Sequence, residues 1–99
     1  MTKKEELDET LKEVEAFAAL AMSAKDIELV LDLFPGSISN YLKFSKASQF
    51  AQAYLKGKLK LQSEVNKSII NLAKQGSGPA QTMAKKLIAD QTAKEVDFE

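Results

Sequence analysis

Between residues 47 and 74 the chain runs without proline and with one glycine, Gly57. Its apolar side chains return there at helical spacing: Phe50, Ala51, Tyr54, Leu55, Leu59, Val65, Ile69, Leu72 and Ala73 share one broad face, as a period of 3.6 residues demands. Such a stretch predicts a helix of roughly 40 Å, at 1.5 Å per residue. That is more helix than one small domain needs. Either Gly57 bends or breaks it, or its far half projects and packs against other subunits. Two Pro and four Gly in 99 residues leave little material for a turn-rich β fold, and clean two-residue alternation is missing. The expected class is all-α.

Shorter helices are expected on either side. Thr2 and Glu5 are spaced as a capping box, and Leu7, Leu11, Val14, Phe17, Ala18, Leu20 and Ala21 follow as an apolar stripe over residues 3–21. Ser23 with Asp26 marks a second helix start, with Ile27, Val30 and Leu31 as its inner face. That helix should stop between Asp32 and Phe34, ahead of Pro35 and Gly36. Proline is tolerated in a first helical turn, so Pro35 is expected to open a third helix reaching residues 43–46, with Ile38, Tyr41 and Leu42 on its apolar side. Gly76 and Gly78 read as a helix-to-helix connection. Pro79 then starts a short last helix to about residue 91, carrying Met83, Leu87 and Ile88. The implied organisation is a three-helix unit over 1–46, a helical assembly region over 47–91 and a flexible tail over 92–99.

Composition removes whole classes of function. With no Cys and no His, disulfides, thiol catalysis, histidine-based nucleophile systems and the usual zinc sets cannot be built. The carboxylates Glu5, Glu6, Asp8, Glu9, Glu13 and Glu15 have the composition of a solvated helix face. The Gly76 and Gly78 pair lacks the spacing of a phosphate loop. No enzymatic activity, catalytic residue, metal site or cofactor is expected. No apolar run approaches the roughly 20 residues that cross a bilayer, and MTKKEELDE has no apolar stretch behind its lysines to make a signal peptide. No membrane partner and a cytoplasmic setting are the expectation.

The zero net charge hides a division. Residues 1–34 hold four Lys against nine acids, whereas residues 35–75 hold seven Lys against one acid, Glu64; residues 76–99 hold three Lys against four acids. An acidic end and a basic middle can match helix to helix or subunit to subunit, or can meet the phosphates of a nucleic acid. Every base is Lys, so the bidentate Arg fork to guanine is missing.

SAKDIELVLDLFPGSISNYL, residues 23–42, sets two short helices about a tight turn. This is the pattern of a helix-turn-helix, whose second helix enters the major groove. On that reading Ser37, Ser39, Asn40 and Lys43 face double-stranded DNA, Asn40 being able to pair with adenine. Lys46, Lys56, Lys58 and Lys60 would extend the phosphate footprint. The same residues also suit a plain corner of a helical bundle, and the acids Asp26, Glu28 and Asp32 in the second helix favour that alternative.

The chain resembles the small terminase subunits of tailed bacteriophages. The resemblance rests first on FAALAMSAKDIELVLDLFPGSISNYLK, where Ser23, Asp26, Ile27, Leu31, Leu33, Ser37, Ile38, Tyr41, Leu42 and Lys43 match the family's helix start and its Tyr-Leu-Lys-like ending. It continues in FAQAYLKGKLKLQSEVNKSIINLAKQGSGPAQTMAKKLI, where Phe50, Ala53, Tyr54, Gly57, Lys58, Val65, Leu72, Ala73, Gly76 and Ala80 fit an Ala-Tyr-x-x-Gly-Lys-like element and a glycine turn into a last helix. Three residues depart from the family pattern: Glu28 stands where a small residue is usual, and Asp32 and Phe34 where Gly and Ser are common. The resemblance implies a ring-like homo-oligomer, without enzymatic activity, that binds viral DNA and presents it to the large terminase subunit in the host bacterial cytoplasm. Within such an assembly Tyr54, Leu61, Val65, Ile69, Leu72, Met83 and Leu87 are the expected interface residues. A dimeric helix-turn-helix transcription regulator, or a helical interaction module that binds no nucleic acid, fits much of the same sequence.

Overall fold

The computed structural model describes residues 2–44 and 48–97. Among the described residues the regular structure is entirely helical: α1 (Lys3–Ala18), α2 (Ala24–Val30), α3 (Ser39–Phe44), α4 (Gln49–Lys74) and α5 (Gly78–Asp97). The chain forms two compact units, Met1–Leu61 and Gln62–Glu99.

Local chemistry sets the helix starts. Thr2 Oγ1 accepts from the Glu5 N–H at 3.2 Å and Ser23 Oγ from the Asp26 N–H at 3.2 Å, the N-cap bonds anticipated at both positions. Ser77 Oγ, 3.4 Å from the Ala80 N–H, does the same for α5. Pro79 thus lies inside that helix's first turn, where its missing donor costs nothing.

Three helices end through one device. A residue with left-handed backbone reverses the chain, and the next N–H reaches back five residues into the helix. At α4 this residue is Gly76 (φ 97°), with the Ser77 N–H on the Leu72 carbonyl at 3.1 Å. At α1 it is Ala21 (φ 68°), with Met22 bonded to Phe17, and at α2 it is Asp32 (φ 52°), with Leu33 bonded to Glu28. Met22 and Leu33 are thereby turned onto the core. These early reversals correct two sequence expectations. Leu20 and Ala21 are exposed because α1 stops at Ala18, and Val30 is exposed at the last turn of α2.

The first unit centres on Val14 and Ala18 of α1, Ala24 and Ile27 of α2, Ile38 ahead of α3, and Tyr54 of α4. Phe17, Leu31, Leu42 and Phe50 pack around them. Gly57 is buried where α4 crosses α1: a Cβ on it would collide with the Glu15 carbonyl and stand 2.7 Å from Ala18 Cβ. The glycine does not break α4, which continues through it as one 26-residue helix. It lets two backbones approach closely. The second unit pairs the later turns of α4 with α5. Ala80 is buried there, Ile69, Ala73 and Leu87 are half-buried, and Gln81 Nε2 donates at 3.1 Å to the Ala73 carbonyl, which also accepts from the Gly76 N–H at 3.1 Å. α5 continues past residue 91, where its apolar stripe gives out.

Two substitutions probe this geometry in opposite directions. Gly57→Ala should lower unfolding free energy by about 1–3 kcal/mol, the usual cost of overpacking a rigid contact. Ala21→Gly should raise it by about 1 kcal/mol, by relieving a Cβ in left-handed backbone. Urea denaturation followed by circular dichroism measures both.

Candidate nucleic-acid interface

The surface begins with a buried acid. Glu28, on α2, is only 6% exposed and is the buried charged residue of the first unit's described part. Its Oε1 accepts from the Gly36 N–H at 2.9 Å, and its Oε2 from the Ile38 and Ser39 N–H groups at 2.9 and 2.8 Å. The Ser39 hydroxyl stands 3.5 Å from Oε1. The Glu28 backbone carbonyl in turn takes the Leu33 N–H at 2.8 Å. One residue therefore holds both ends of the segment joining α2 to α3.

This explains why Pro35 does not open the third helix. Gly36 has φ 88°, which no right-handed helix can pass through, and the Ile38 and Ser39 N–H groups beyond it are aimed back at the Glu28 carboxylate. Residues 35–38 form a turn and α3 starts at Ser39. With Ile38 buried and Leu42 half-buried on one side, Asn40 lies about 200° and 160° away from them at 100° per residue. Asn40 is accordingly exposed on the face opposite the core. Tyr41, expected on the apolar side, is largely exposed instead, because a short helix directs only Ile38 and Leu42 inward.

The Glu28 carboxyl is subject to opposed effects. Burial pushes its pKa up, but the hydrogen bonds from the Ser39, Gly36 and Ile38 backbones and the Ser39 hydroxyl outweigh this and hold it below the ordinary 4.5. A carboxylate already fills the place at which a phosphate would meet the start of α3. Contact with an anion has to come from side chains.

The other expected contacts fall into distinct groups. Ser39 is engaged by Glu28. Ser37 Oγ is buried, with no hydrogen-bond partner among the described residues. Lys46 lies outside the described residues, as does the side chain of Lys43. Lys60 Nζ is 2.6 Å and Lys56 Nζ 3.9 Å from Glu15 Oε1, both amines remaining mostly in solvent. The Lys60 hydrogen bond lowers the Glu15 pKa against the effect of burial, and the charges of Lys60 and Lys56 reinforce it. Lys58 lies about 200° around α4 from Lys56, with Nζ 5.4 Å from the centre of the Tyr54 ring. The three α4 lysines therefore do not form one stripe. Sequence reading missed Glu28 as an organiser, and its only signal was a charge at a position that periodicity puts inside.

The expected assembly residues also divide. Tyr54 is 6% exposed and packs in the core of its own chain, and Leu61, Ile69 and Leu87 are half-buried. Val65, Leu72 and Met83 are open to solvent at 45%, 51% and 52%, and Ile70 and Ile88 are also exposed in the second unit. Among the described residues no cluster of acids suits a metal ion, and no helix is long and apolar enough to cross a membrane. No known protein family, curated protein or solved structure matches the chain.

Linkage gives the Glu28 carboxylate a defined pH signature. A carboxyl whose folded pKa is depressed stabilises the fold above its unfolded pKa, and that stability is lost as pH falls through the folded value. Wild-type stability should therefore include a Glu28 component that is full above about pH 4.5 and declines below it. Glu28→Gln should be less stable by about 1–3 kcal/mol at pH 7, since buried N–H donors lose an acceptor, and the gap should narrow in acid. Denaturation curves from pH 7 to pH 3 check this.

Proposed function

We propose that the protein is a DNA-packaging adaptor of the small terminase kind. It assembles into a ring-like homo-oligomer, binds double-stranded viral DNA, and presents that DNA to the large terminase motor and nuclease, whose activity it regulates. The observation that carries the reading is the apolar surface of the second unit. Val65, Ile70, Leu72, Met83 and Ile88 are all exposed in a pair of helices where Ala80 is the buried apolar residue. Val65 and Leu72 share one face of α4, exposed apolar side chains gathered on a face are characteristic of protein interfaces, and a helix pair gains most of its stability from packing an apolar face. Other copies of the chain are the proposed cover.

The first unit supplies the DNA contact in this reading. Asn40 faces out from α3 and has the donor and acceptor pair that adenine requires. Lys56, Lys58 and Lys60 keep their amines near the surface, where they can exchange intramolecular partners for phosphates. Each protomer offers few contacts, and a ring multiplies weak ones. A helical interaction module without nucleic acid is the second reading, favoured by the pairing of Lys56 and Lys60 with Glu15.

Size-exclusion chromatography with light scattering should give a mass well above a dimer, and Leu72→Glu should lower that mass while helix content persists. A dimer would favour a transcription regulator, and a single chain would refute the adaptor. Duplex affinity should fall steeply as salt rises, because bound phosphates release counterions. Changing Lys43, Lys56, Lys58 and Lys60 together to Gln should weaken binding about tenfold or more at low salt. Unaltered affinity would reject this surface.

A further inference from the structure

A carboxylate, a glycine and an amide are stacked in series at the start of α3. Glu28 Oε1 holds the Gly36 N–H at 2.9 Å. The Asn40 side chain lies directly over Gly36: a Cβ added to Gly36 would overlap the Asn40 amide nitrogen and stand 2.8 Å from its Cγ. The Asn40 N–H also donates to the Gly36 carbonyl at 3.0 Å. Gly36 is therefore in contact with Asn40 through both backbone and side chain, and is itself fixed by Glu28. Leu33, Lys25 and Leu29 line a groove of about 440 Å³ alongside, into which Gly36 and Asn40 also face.

We propose that Glu28 and Gly36 are the positioning residues that set sequence selectivity, by holding the Asn40 amide where it can meet a base edge. The inference rests on the DNA-binding reading and assigns to Glu28 a role apart from affinity. A base edge is read by a donor and an acceptor at fixed places, so an amide displaced by a fraction of an ångström loses its discrimination. Phosphate contacts from flexible lysines tolerate the same displacement, and they set binding strength regardless of sequence. Glu28 touches no base. It presents negative charge near a polyanion, so its removal does nothing to weaken general attraction. The left-handed Gly36 (φ 88°) supplies the bare Cα surface on which the amide rests.

The test uses the full-length oligomer and a pool of random-sequence duplexes, from which the wild type selects a preferred sequence. Affinity is then measured for that duplex and a scrambled one. Asn40→Ala, Glu28→Gln and Gly36→Ala should each cut the preference by about fivefold or more, the lower end of what one good base contact supplies. For Glu28→Gln and Gly36→Ala, binding to the scrambled duplex and its salt slope should be undiminished, whereas a variant that merely unfolds would lose both. Gly36→Ala keeps the Glu28 charge and serves if Glu28→Gln fails to fold. If Asn40→Ala loses selectivity while folded Glu28→Gln and Gly36→Ala retain it, the positioning role is wrong and the DNA-binding reading stands. If the wild type binds no duplex at low salt, that reading falls and takes this inference with it.

Discussion

The arrangement of the first unit depends on one carboxylate. Between α2 and α3 the chain must turn through a segment whose N–H groups at Gly36, Ile38 and Ser39 have no helix to satisfy them, and Glu28 accepts from all three. Burying a charge alone is costly, but several charge-assisted hydrogen bonds to backbone donors offset the lost hydration. The consequence is positional. With the turn pinned, Ile38 drops into the core beside Ile27 and Val14, and Asn40 is carried to the opposite face. Without an acceptor at residue 28, all three donors would lose their partner, and the Ile38 N–H would do so where it is buried.

Helix content was legible in the sequence because it is written in local terms. Thr2, Ser23 and Gly76 cap as their side chains and backbone freedom dictate, and the long run after residue 48 becomes the single helix α4. What was not legible depends on contacts between residues distant in the chain. Gly57 reads as a helix weakener until the α1 backbone is placed against it. Ala21 and Asp32 adopt left-handed backbone with no glycine to announce it, because packing Met22 and Leu33 compensates the strain. Pro35 is compatible with a helix start, but the Glu28 carboxylate draws the Gly36 N–H away.

The candidate surface was legible as a set of residue types, not as an arrangement. Ser37, Ser39 and Asn40 are neighbours in a polar run, yet hydrogen bonding and burial direct the serines inward and leave Asn40 outside. Lys56 and Lys60 lie one turn apart on α4, but the partner they meet there, Glu15, comes from α1. The acidity of α2, which at first argues against a DNA-facing role, is partly internal: Glu28 is consumed by the turn, while Asp26 and Asp32 remain exposed. In the second unit the balance is different. Exposed Val65, Leu72 and Met83 have no polar task, and association is the use we propose for them.

Amide hydrogen exchange at Gly36, Ile38 and Ser39 reads the central interaction directly, since each N–H reports its own bond to Glu28. Exchange at these three sites should be strongly slowed in the wild type. In Glu28→Gln it should accelerate there while the amides of α1 and of α4 between residues 53 and 60 keep their protection. Equal protection at Gly36, Ile38 and Ser39 in both proteins would contradict the assignment of this turn, and of the Asn40 face it creates, to the Glu28 carboxylate.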